Sequence, residues 1–62
     1  MKKFRITYKE HDGITTLDVC DMEIDEGFVA IWIDGSHECA AADMAINASL
    51  VYKIERIEED NK

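Results

Sequence analysis

The chain has 62 residues, a formal net charge of −7, 47% hydrophobic and 34% charged residues, two cysteines and no proline. This is a globular composition with room for a single domain over residues 1–62, and it excludes a disordered polar chain. A domain of this size buries only about 60% of the surface its unfolded chain exposes, so a disulfide, a metal or a partner subunit would be a natural addition to its core.

The charge is spread unevenly. Between Glu10 and Tyr52 there are ten acidic residues and no Lys or Arg, while Lys2, Lys3, Arg5 and Lys9 crowd the first nine positions. Nucleic-acid binding needs a basic footprint, and only the first segment offers one. The acidic centre repels phosphate and an anionic membrane surface alike, so neither direct nucleic-acid nor membrane binding is expected. No apolar run follows Lys2 and Lys3, so no secretory signal is read. The longest apolar run, Phe28 to Ile33, is far too short to span a bilayer. A cytoplasmic protein is expected, with Cys20 and Cys39 as reduced thiols.

From Lys2 to Glu10 the chain alternates, with Phe4, Ile6 and Tyr8 on one face, which predicts a strand. His11-Asp12-Gly13 then predicts a hairpin turn. The next segment, Ile14 to Asp25, changes phase: Leu17 and Val19 have one parity, Met22 and Ile24 the other. A β-bulge near Cys20-Asp21 reconciles them. Glu26-Gly27 ends that strand. Phe28 to Ile33 is apolar at every position and reads as a strand covered on both faces. The cover would be the Ala-rich segment that follows or another molecule.

Asp34-Gly35 predicts a further turn. From Ser36 to Leu50 two patterns coexist. Ala40, Ala41, Ala42, Ala45 and Ala48 favour a helix that Ser36 could cap. Alternation through Ala40, Ala42, Met44 and Ile46 fits a strand to about Ile46, with a helical turn over Asn47–Leu50. The turn chemistry favours the strand, because a two-residue Asp-Gly turn joins strands. Tyr52 to Glu59 predicts a last strand with Tyr52 and Ile54 inward, before a frayed tail at 60–62. The expected fold is mostly β: a small curled antiparallel sheet or SH3-like barrel of four to five strands, with at most one short helix in 36–50.

The candidate sites follow from this layout. Asp18, Asp21, Glu23, Asp25 and Glu26 form an acidic cluster, in which Asp21, Glu23 and Asp25 share a face about 6.7 Å apart. Such a row either keeps a small protein soluble or steers a basic partner onto the strand. Residues 21–27 also place acids at the first, third and fifth positions of a calcium loop. However, Glu26 stands where that loop needs glycine, and Trp32 where it needs an acid. His11, Cys20, His37 and Cys39 are the residue types of a zinc site, but without its paired spacing. Asp34, Ser36 and His37 are the types of a hydrolytic triad, but they adjoin one another in a turn and cannot converge from separate positions. Lys3, Arg5 and Lys9 are expected to balance Glu55, Glu58 and Glu59 across paired first and last strands.

Together these readings predict a non-enzymatic acidic protein-interaction module without metal or cofactor. It would be an inhibitor or accessory regulator that docks a basic protein, such as a nucleic-acid-binding one, through its acidic strand. One alternative is a homodimer or larger structural oligomer assembled through Phe28, Val29, Ile31, Trp32 and Ile33. The other is a zinc-stapled module.

Overall fold

A computed structural model describes residues 2–57. Six strands follow one another: β1 (Phe4–Glu10), β2 (Gly13–Val19), β3 (Asp21–Asp25), β4 (Phe28–Trp32), β5 (Met44–Asn47) and β6 (Val51–Arg56). A single 3-10 turn, Ala48–Leu50, joins β5 to β6. The strands form two antiparallel three-stranded sheets, ordered β2-β1-β6 and β3-β4-β5. The fold is thus mostly β, with six short strands instead of four or five. No helix is long and apolar enough to cross a membrane among the described residues.

The extra strand arises at Cys20. The segment read as one bulged strand, Ile14 to Asp25, divides there and gives β2 to one sheet and β3 to the other. Asp21 lies opposite Trp32 in the ladder, yet the Cys20 amide also donates to the Trp32 carbonyl at 2.9 Å. Two residues facing one is the arrangement of a β-bulge. It resets the side-chain parity, so Val19 faces the core from β2 and Met22 faces it from β3.

The hydrophobic core draws on both sheets: Ile6, Tyr8 and Val19 from one, Val29, Ile31 and Ile46 from the other. Ile6, Val19, Val29 and Ile31 are fully buried. The body is elongated, 36 × 22 × 17 Å. Near the two hairpin tips, Ile14 beside the His11–Asp12 turn and Ile24 beside the Glu26–Gly27 turn are carried out of the core.

The apolar strand β4 is covered unevenly. Val29 and Ile31 point into the core, and Ile33 packs partly against it just past the strand's end. On the opposite face Trp32 is buried while Phe28 remains 51% exposed. The cover over Trp32 is the connection from Ile33 to Asp43, which contains the Ala-rich run. That run is neither helix nor strand: Ala40, Ala41 and Ala42 lie exposed in the connection. Ser36 closes only one turn, its carbonyl accepting from the amides of Cys39 and Ala40 at 3.1 and 3.2 Å. The expected tight turn at Asp34-Gly35 is accordingly part of a longer loop, and pairing with β4 resumes only at Met44.

The last strand also departs from its pattern. Between Thr7↔Lys53 and Tyr8↔Val51 the register shifts, so Tyr52 has no partner in the ladder. It stands 58% exposed instead of inward, while Ile54 opposite Ile6 keeps the expected orientation. β6 ends at Arg56; the remainder of the expected strand beyond Ile57, and the tail at 60–62, lie outside the described residues.

The β3–β4 turn has a local conflict. A two-residue hairpin turn with positive φ at both central positions matches the twist of the strands and favours Asn-Gly. Here those residues are Glu26 at φ 47° and Gly27 at φ 87°. A non-glycine residue with an extended side chain is disfavoured in that left-handed region. Replacing it by the better-tolerated Asn, in Glu26→Asn, should raise stability by about 0.5–1 kcal/mol. Urea unfolding would show this as a higher midpoint with unchanged slope, and an equal or lower midpoint would refute it.

Candidate functional site

The ladder register sorts the acids of β3. Asp21, Glu23 and Asp25 lie opposite Trp32, Ala30 and Phe28 and share the outer face of the sheet with them. Met22 and Ile24 lie opposite Ile31 and Val29, on the core-facing side. β3 is also an edge strand among the described residues, with β4 on one side and no described strand on the other.

The five acids read as one cluster occupy three different settings. Asp18 belongs to β2 in the other sheet. Its two carboxylate oxygens accept from Arg5 Nε at 2.8 Å and Nη2 at 3.1 Å, a paired contact that holds the Asp18 carboxyl below and the Arg5 guanidinium above their ordinary pKa values. Arg5 also lies opposite Glu55 in the ladder, but it hydrogen-bonds Asp18. Lys53 is the residue that reaches Glu55, at 3.5 Å. Glu58 and Glu59 lie outside the described residues.

Asp21 is occupied by the loop. Its Oδ2 accepts from both the His37 amide at 2.9 Å and His37 Nδ1 at 2.8 Å, and its Oδ1 accepts from the Met22 amide at 2.9 Å. The His37 backbone bond, then the ring bond, lowers the Asp21 pKa, and the hydrogen bond to Asp21 raises that of His37. Glu23, Asp25 and Glu26 are exposed, and their carboxylates have no hydrogen-bond or ion-pair partner among the described residues.

Beside this face the 33–43 loop is fastened at several points. The Trp32 indole Nε1 donates to the Ala40 carbonyl at 2.8 Å, and the indole meets the His37 ring edge-on at 6.1 Å. The Ile33 amide donates to Asp43 Oδ2, and the Asp43 amide to the Ile31 carbonyl, each at 2.8 Å. Lys2 Nζ donates to the Ile33 carbonyl at 2.8 Å and to Asp34 Oδ1 at 2.9 Å. Asp34, Ser36 and His37 therefore serve three different partners: Lys2, the Glu38 amide and Asp21.

Nor do the zinc-type residues meet. His11 lies at the far end of β2, which runs seven residues, or roughly 23 Å at strand rise, before the chain reaches Asp21. Among the described residues no three His, Cys, Asp or Glu side chains are grouped to hold a metal ion. The calcium-like stretch is a paired strand and a tight turn, and its first acid is taken by His37.

The loop-fastening residues Lys2, Asp43 and the Asp21–His37 pair were not read as a group from the sequence. Their partners lie 10 to 32 positions apart, and no local periodicity joins them. Comparison with protein-family models, with curated proteins and with solved structures returns no match.

The Asp21–His37 pair makes the loop sensitive to pH. The raised His37 pKa means that its share of the attachment is complete below the unfolded imidazole value and fades as pH rises through the folded one. The lowered Asp21 pKa means that its share is complete above the unfolded carboxyl value and fades as pH falls through the folded one. The attachment is therefore tightest between the ordinary carboxyl and imidazole values of about 3.9 and 6.5. Above it, a neutral His37 still donates one hydrogen bond from Nδ1, so loosening is partial. An NMR titration should place the His37 midpoint above that of a free imidazole, and Asp21→Asn should bring it down. An unchanged midpoint in that variant would remove the assigned cause.

Proposed function

We propose that this chain is a non-enzymatic interaction module that docks a basic protein through the outer face of β3, as an inhibitor or accessory factor of that partner. The curled, SH3-like outline expected of such modules is part of the same reading. The observation that carries it is the pairing state of the acids: Asp18 and Asp21 are held by Arg5 and His37, whereas Glu23 and Asp25 stand exposed and unpaired on an edge strand.

Two carboxylates at alternate positions of a paired strand present a directed negative potential on a backbone that is already ordered. The exposed Phe28 ring lies across from Asp25 on the same face. An incoming Lys or Arg can rest its head on the carboxylates and its stem or guanidinium on that ring. The run from Glu10 to Tyr52 without a Lys or Arg supports steering of such a partner from a distance. The homo-oligomer reading would depend on Phe28, since Val29, Ile31 and Trp32 are already buried within the chain.

The test compares two doubly neutralised proteins of equal net charge, Glu23→Gln/Asp25→Asn and Asp12→Asn/Glu38→Gln, in capture from nuclease-treated lysate washed at rising salt. A basic partner held by wild type and by the second variant, but lost at least tenfold from the first, is the expected result. Equal retention by both variants would refute a β3 docking face, because only net charge would then matter.

A further inference from the structure

The open edge of β3 carries backbone as well as charge. The two-residue turn closes on the Asp25↔Phe28 pair, and an antiparallel ladder alternates from there. Asp25, Glu23 and Asp21 therefore direct their backbone groups to β4, and Ile24 and Met22 direct theirs outward. The Met22 amide agrees with this phase, donating to the Asp21 carboxylate at 2.9 Å, as do the Asp43 amide on the Ile31 carbonyl and the Ala48 amide on the Gly27 carbonyl, which turn the alternate residues of β4 toward β5. What remains open is the Ile24 N–H and C=O and the Met22 C=O, with no hydrogen bond to them among the described residues. The Ile24 side chain, 61% exposed, stands beside them.

Exposed edges of this kind are usually blunted by lysine, proline or a covering element, because they template pairing with another strand. This edge has no lysine or proline, and its charge selects what can pair. A second copy, aligned antiparallel about Glu23, would set Glu23 against Glu23 and Asp21 against Asp25. Like charges directly opposite are destabilising, so the edge rejects itself. The same parity favours a strand with cations at alternate positions.

We infer that β3 accepts an extended basic segment of a partner protein as an added strand. Lys or Arg at every second position of that segment would lie beside Glu23 and Asp25, with apolar residues between them beside Ile24. This rests on the docking function proposed above and specifies its mode: main-chain pairing supplies affinity, and alternate side chains supply choice of partner.

Two octapeptides of equal charge test it, one alternating Lys and Val, the other Lys and Pro. The second lacks every other N–H and cannot complete a ladder. The Lys–Val peptide is expected to bind at least tenfold more tightly, to lose at least tenfold in affinity with the Glu23→Gln/Asp25→Asn protein, and to slow hydrogen exchange at the Ile24 amide. Equal binding of both peptides with unchanged Ile24 exchange, but loss on neutralisation, would overturn strand addition and leave acidic docking standing. Binding indifferent to neutralisation, or absent for both peptides, would overturn both. All comparisons use the intact chain and the same Glu23/Asp25 substitutions, which leave the core untouched.

Discussion

The corner at Cys20 is the constraint on which the other elements depend. A strand presents alternate residues to opposite faces, so Val19 and Met22, three positions apart, cannot both point inward from an unbroken one. The extra residue and its bond to the Trp32 carbonyl let one stretch of chain line the core twice, from two sheets. Everything downstream is then placed by pairing. β3 positions β4, β4 positions β5, and β1, paired to β2, receives β6 on its other side. The Lys3 amide, bonded to the Val19 carbonyl at 2.8 Å, fastens the start of the chain to the same corner.

β4 shows how so small a body divides its surface. One face supplies Val29 and Ile31 to the core. The other is covered at Trp32 by a loop and left open at Phe28, at the opposite end of the strand. The loop is attached largely through polar contacts: carboxylates of Asp21, Asp34 and Asp43, the Lys2 ammonium, and the indole N–H. Several acids in the central run thus have structural work, and the carboxylates left over include those of Glu23, Asp25 and Glu26 on the β3 edge and its turn, beside Asp12 and Glu38 elsewhere. Net charge alone does not distinguish the two groups; hydrogen bonding does.

Much of this was legible in the sequence where the governing physics is local. The alternation of Phe4, Ile6 and Tyr8 gave β1, His11-Asp12-Gly13 gave a hairpin, Glu26-Gly27 ended the next segment, the phase change at Cys20 gave the bulge, and the turn after Asn47 was read in place. What was not legible depends on partners distant in sequence. Ala40–Ala42 have helix propensity and alternate like a strand, but Trp32 Nε1 and the Asp43 carboxylate hold their segment as a loop. Tyr52 sits at the right parity to be buried, and a register shift against β1 turns it out. Asp18 looked equivalent to Asp21 and Glu23, and only the sheet change separates them. Of the candidate surface, the sequence placed Glu23, Asp25 and Glu26 together, but nothing local marked Asp21 as the anchor of His37.

The pairing of β1 with β6 has a further architectural meaning. Phe4 lies directly opposite Arg56, and the Ile57 amide reaches the Lys3 carbonyl at 2.8 Å. Residues 3 and 57 thus lie at neighbouring points, on the same end of one sheet. A unit with that geometry can be spliced into a surface loop of a larger host without prising the loop apart. It can equally be closed head to tail by a short linker and reopened within the 33–43 loop, with all six strands and their ladders preserved.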